Sequence, residues 1–140
     1  MKARREGDYS GRSLFEKLGV SADSHVAIVG RHDDAFTTAL DERLAKAASQ
    51  VLRTQYDLIF VRIDAPRDLP RLARAAEHLR PNGALWVFHP KGRGASPTDA
   101  QVRSAGIAAG LVDNKISGYT DSHTATRFVI PVSRRDLSPQ

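Results

Sequence analysis

The chain has 140 residues, 41% of them hydrophobic and 26% charged, with a formal net charge of +5 and no cysteine. That length suits one compact core, and the missing thiol excludes disulfides, thiolate nucleophiles and cysteine-ligated metals. No apolar run nears the ~20 residues that cross a bilayer, and the basic start MKARREGDYSG leads into no apolar segment, so the expectation is a cytoplasmic protein with no membrane partner.

Residues 1–8 read as a flexible basic N-terminus, 9–133 as one domain and 134–140 as a flexible tail. SGRSLFEKLG predicts a short helix, capped by Ser10 and stopped by Gly19. VAIVG, a short apolar run with β-branched residues, predicts a strand buried on both faces. Asp33 or Asp34 then caps a longer helix in which Phe36, Leu40, Leu44 and Ala47 recur at helical spacing. The stretch from Val51 to Thr54 fits a helix end or a short edge strand equally well. DLIFVRID predicts a second buried strand. Leu69, Leu72, Ala73, Ala76 and Leu79 form one helical face, with Pro70 in the first turn and Pro81 ending it. Asn82 and Gly83 turn the chain into the strand ALWVFH. Ser96, Pro97 and Asp99 give a cap, a first-turn proline and an acid for a helix running to Gly110. LVDNKISGY and ATRFVIPV, joined by TDSH, predict a terminal hairpin. Strands alternating with helices make right-handed parallel crossovers, so the expected fold is a three-layer α/β, Rossmann-like, mostly parallel sheet with a C-terminal antiparallel hairpin.

This element order resembles a cut-down class I methyltransferase. The blocks YSGRSLFEKLGV, LRPNGALWVFHPKG and GLVDNKISGYTDSHTATRFVI are also similar to those of a family of small bacterial proteins of unknown function. That family carries a YSG…KLG opening, a PDGALWV-type strand ending in Pro-Lys-Lys, and a GLVD…KFV ending. The resemblance spans residues 9–133 and implies a methyltransferase-like fold, but no particular activity. Gly92 stands where the second lysine is expected and His123 where a tryptophan is expected.

In such a sheet the ligand edge lies at the strands' carboxyl ends. There the sequence gathers Arg31, Asp33, Asp34 and the candidate ligand- or anion-binding residues His32, Asp64, His89, Lys91, Arg93 and Ser96. Lys91 and Arg93 are spaced by glycines and precede a helix start, which suits a small anion, although turn geometry and capping explain the same residues. His32, Asp34, Asp64 and His89 are of metal-ligating types but follow no ligand spacing, so no metal is expected. A cofactor turn normally has several glycines and an acid after the next strand. Here Gly30 stands alone, Asp33 and Asp34 would repel a phosphate, and VLRT is followed by Gln55 and Tyr56. The expectation is therefore no cofactor, with S-adenosylmethionine less disfavoured than a dinucleotide. None of the serines, Ser122 among them, lies in a G-x-S-x-G elbow. Arg67, Arg71 and Arg74 read as a solvated helix face, and Tyr119 and His123 as turn residues able to meet a ligand.

These readings lead to a non-catalytic binding or interaction domain, self-associating through a sheet edge or the hairpin. The first alternative is a small S-adenosylmethionine-dependent methyltransferase with a degenerate cofactor loop, centred on Asp64, His89 and Lys91. The second is a nonspecific nucleic-acid binder drawing on diffuse positive charge.

Overall fold

A computed structural model describes residues 12–135. The cap at Ser10, the N-terminal segment 1–8 and most of the C-terminal segment 134–140 lie outside the described residues. The elements are α1 (Arg12–Leu18), β1 (Val26–Val29), α2 (Asp34–Arg43), β2 (Tyr56–Arg62), a 3-10 turn (Pro66–Asp68), α3 (Arg71–Ala76), β3 (Leu79–Pro90), α4 (Asp99–Ala108), β4 (Val112–Gly118), β5 (His123–Val129) and α5 (Val132–Arg135).

The strands form a five-stranded sheet in the order β1-β2-β3-β5-β4. β1, β2 and β3 are parallel, while β5 runs antiparallel to both β3 and β4. Side chains alternate along each strand, and the two faces are closed separately. On one face α1 and α2 pack Leu14, Phe15, Leu18, Phe36 and Leu40 onto Phe60, Trp86 and Phe88. On the other, α3 and α4 pack Leu72, Ala75 and Val102 onto Ile59, Val61, Leu85 and Val87. Burial of both faces explains why LIFV and ALWVF read as continuous apolar runs. Phe36 is the hub of its face: its ring centre lies 5.2–5.7 Å from those of Phe15, His32, Phe60, Phe88 and Tyr119. Trp86, fully buried, satisfies its indole N–H on the Leu18 carbonyl at 3.0 Å, which ties α1 to the centre of the sheet.

The structure corrects several boundaries. α2 ends at Arg43, not beyond Ala47, because Ala45 N–H donates to the Ala22 carbonyl and Ala48 N–H to the Asp41 carboxylate. Both bonds pull the chain back towards β1. The stretch from Val51 to Thr54 is neither helix nor strand; the sheet is extended there by Ser49 alone, through a single parallel bridge to Ala27. Leu79 begins β3 and does not close α3, and Ala73 is exposed while Ala75 is buried. Residues 80–83 are not a turn before a strand but an irregularity inside one, since Tyr56 pairs with Leu79 and Leu58 with Ala84. Gly83 is required there, as a Cβ would lie 2.6 Å from the Asp57 carbonyl oxygen. Thr98, not Ser96, caps α4: its hydroxyl accepts the Gln101 N–H and the Gln101 side chain answers its own N–H.

Gly106 lets α4 lie directly on Phe128, whose ring would overlap any Cβ at that position. Gly106→Ala should therefore destabilise the protein by about 2 kcal/mol through overpacking, read as a lower urea midpoint with an unchanged slope.

Candidate functional site

From β1 the chain crosses through α2 to the Ser49 bridge on one side, then returns to place β2 on the other. The carboxyl end of β1 is thus the topological switch point, where open α/β sheets bind ligands. A cavity of about 300 Å³ opens there, lined by Ile28, Gly30, Arg31, His32, Asp34, Thr37 and Gln50. Gly30 has a φ of +87°, and a Cβ would meet the Arg71 guanidinium at 2.7 Å, so the turn is made by glycine pressed against α3. Arg31, Asp34 and Gln50 are exposed and offer a cation, an anion and an amide to one space. Gln50 escaped the sequence reading, which looked for a polar group after VLRT. Only the isolated bridge at Ser49 shows where the crossover through α2 ends.

His32 lines the same cavity but is held by the core. Its Nε2 donates to the Phe60 carbonyl at 2.8 Å, and its ring stacks on Phe36 and meets Phe88 edge-on. Burial lowers its pKa to about 4, against the pull of the Phe60 and Val29 carbonyls and Asp33. It is a neutral structural donor at neutral pH.

Next to the switch point lies a charged network. Arg62, the last residue of β2, is buried, and alternation turns it towards the α1–α2 face. Its Nε donates to Asp64 at 3.0 and 3.2 Å, and its Nη1 lies 3.6 Å from Asp33. Tyr119 donates its hydroxyl to the same Asp33 oxygen at 2.7 Å. Asp33 occupies the α2 cap position, yet its side chain makes no capping bond; the carboxylate faces Tyr119 and Arg62 instead. His123 Nε2 donates to Asp64 at 2.8 Å, while its Nδ1 accepts the Ser122 hydroxyl at 2.8 Å. Burial would raise the pKa of Asp64, but the bonds from His123 and Arg62 outweigh it and hold the carboxyl below the ordinary carboxylate range. An ionised Asp64 fixes the Nε2–H tautomer of His123 and leaves Nδ1 as a proton acceptor facing a hydroxyl.

The remaining candidates lie apart. His89 and Lys91 line a second cavity of about 460 Å³, between the α4 N-terminus and the hairpin on the opposite face of the sheet. There His89 Nε2 is 2.8 Å from the Thr126 hydroxyl and its Nδ1 is 3.7 Å from Asp99. Burial holds its pKa below the usual value, against the Pro90 carbonyl and Asp99. Arg93 and Ser96 are exposed on the connecting loop and line neither cavity. The six candidates thus fall into separate places, and His32, Asp34, Asp64 and His89 do not converge. Among the described residues no group of three or more histidine or acidic side chains is placed to hold a metal, and no helix is long and apolar enough to cross a membrane.

The architecture is that of class I S-adenosylmethionine-dependent methyltransferases. CcbJ methyltransferase of Streptomyces caelestis matches 86% of this chain and 88% of its own at 8% identity, with a TM-score of 0.56. Magnesium protoporphyrin IX methyltransferase of Synechocystis, with bound S-adenosylmethionine, matches 85% of this chain and 76% of its own at 9% identity and a TM-score of 0.63. The same enzyme with bound S-adenosylhomocysteine matches 85% and 80% at 11% identity and a TM-score of 0.61. At such identities the likeness is one of fold. No protein-family model matches the chain, and no curated protein sequence is significantly similar to it. The expectation of no cofactor is overturned: solved structures with this fold hold S-adenosylmethionine and S-adenosylhomocysteine.

Unfolded histidine titrates near pH 6.5, and folded His32 at about 4. The unfolded chain therefore binds more protons between these values. The stability contributed by His32 is complete above pH 6.5 and is lost as the pH falls towards 4, by roughly 3 kcal/mol. In His32→Gln, the pH dependence of the urea midpoint over this interval should flatten; an equally steep acid limb would assign it to other groups.

Proposed function

We propose that the chain is a small S-adenosylmethionine-dependent methyltransferase domain, with its methyl donor at the carboxyl end of β1. The observation that carries this reading is the cavity of about 300 Å³ at the switch point of a methyltransferase fold. The residues lining it suit the donor's groups: Arg31 for the carboxylate, Asp34 for the ammonium group and Gln50 for the ribose hydroxyls. S-adenosylmethionine carries no phosphate, so Asp34 at the α2 N-terminus does not repel it as it would a dinucleotide. When bound, the sulfonium supplies an electrophilic methyl group for transfer to a nucleophile.

The chain's own contribution to the chemistry lies beside the donor site. Arg62 joins the β1 turn, through Asp33, to the Asp64–His123 pair. His123 Nδ1 already receives one hydroxyl proton donor, Ser122, and the same atom would take the proton lost by a hydroxyl acceptor as it is methylated. Asp64 then stabilises the charged imidazole. Lys91 and His89, on the other face, take no part.

Calorimetric titration tests the donor site directly. S-adenosylmethionine and S-adenosylhomocysteine should bind the wild type, and Gln50→Ala and Arg31→Ala should each weaken binding about tenfold, the loss of one charge-assisted or amide contact. Both side chains are exposed, so the fold should be undisturbed. Absence of binding to the wild type would return the chain to the non-catalytic domain suggested by the sequence alone.

A further inference from the structure

At the opposite, amino edge of the sheet, β4 and β5 set Lys115 directly across from Arg127. Arg127 in turn pairs with Trp86 and Trp86 with Phe60, so these four residues form one row across the α1–α2 face. Trp86 is covered by α1 through its bond to the Leu18 carbonyl, whereas Lys115 is exposed beyond the helix and Arg127 half-buried. Like charges directly opposite in an antiparallel pair repel and destabilise the pairing. A third cation, Lys17 of the last turn of α1, faces the same space. None of the three side chains pairs with an acid among the described residues.

The three cations line a cavity of about 420 Å³ floored by Leu58 and Ala84, which is the volume of a small-molecule site. Two acids also line it. Asp57 is engaged by the Arg80 guanidinium at 2.7 Å and by the His25 N–H at 2.8 Å; burial acts to raise its pKa, but these bonds hold it below the usual range. Glu16, from α1, has an interaction of its own. Asp57 and Arg80 neutralise each other, so Lys17, Lys115 and Arg127 leave an excess of positive charge. Ser24 and Asn82 at the rim add neutral hydrogen-bonding groups.

We propose that this cavity binds a phosphorylated small molecule, whose phosphate neutralises the Lys115–Arg127 pair with Arg127 as the forked donor and Lys17 as the third cation. A doubly charged phosphate suits a cluster of three monovalent cations, and a cavity of this volume suits a compact ligand better than a polymer that needs an extended basic groove. The site is independent of the methyl-donor reading, since it lies at the other end of the strands.

Pyrophosphate and a single-stranded oligonucleotide serve as probes, each titrated into the wild type, Lys115→Gln and Arg127→Gln with binding and Tm recorded. Pyrophosphate should bind the wild type and raise its Tm, with affinity about tenfold lower in each variant. Lys115→Gln should also raise the Tm of the ligand-free protein at low salt, because it removes one member of a repelling pair; a purely solvating lysine would not do this. The affinity for S-adenosylmethionine should be the same in all three proteins. Equal pyrophosphate affinity in the wild type and both variants, no binding to the wild type, or tighter binding of the oligonucleotide than of pyrophosphate would each overturn the proposal.

Discussion

A guanidinium buried at the end of the central parallel strands organises the carboxyl edge of this protein. Arg62 falls on the α1–α2 face by simple strand alternation, after Leu58 and Phe60, which are apolar and buried there. A buried charge requires compensation, and the chain supplies it from both sides: Asp33 after β1 and Asp64 after β2. Each carboxylate then recruits a second donor from the hairpin turn, Tyr119 for one and His123 for the other. The β4–β5 turn, set beside β3 by the pairing of β5, is thereby tied to the cation at the end of β2.

The fold was legible because burial on two faces writes itself into the sequence. VAIV, LIFV and ALWVF are apolar without interruption, and the hairpin is marked by its polar turn. What was not legible depended on tertiary competition for polar groups. Asp33 reads as a cap, and only the approach of Tyr119 removes its carboxylate from that task. Thr98 and Ser96 are equivalent as sequence, and the choice rests on Gln101 answering Thr98. α2 is shortened by bonds to Ala22 and Asp41 that no helical periodicity encodes.

The candidate site shows the same division. Placing candidates at the carboxyl edge needed only the strand order, and His32, Asp64, His89 and Lys91 lie at or just beyond strand ends. Which of them share a space is a matter of strand parity: His89 shares the parity of Leu85 and Val87 and faces α4, while Arg62 shares that of Phe60 and faces α2. Ser122, passed over for want of an elbow, meets His123 because the turn brings neighbours together and Asp64 orients the ring. Gln50 and the Lys115–Arg127 pair depend on bridging and register, which a single sequence does not state.

The bond between Tyr119 and Asp33 spans 86 residues, and that separation bears on how the protein is made. When the chain emerges from its N-terminus, β1, α2, β2 and β3 are all present before the hairpin exists. Until then the edge of β3 that β5 will occupy is open, and the hydrogen bonds of Tyr119 and His123 to Asp33 and Asp64 are missing. The last strands to appear therefore both cover the sheet's growing side and complete the polar network over Arg62. Assembly of the carboxyl edge is thus a late event in folding, contingent on contacts of long sequence separation.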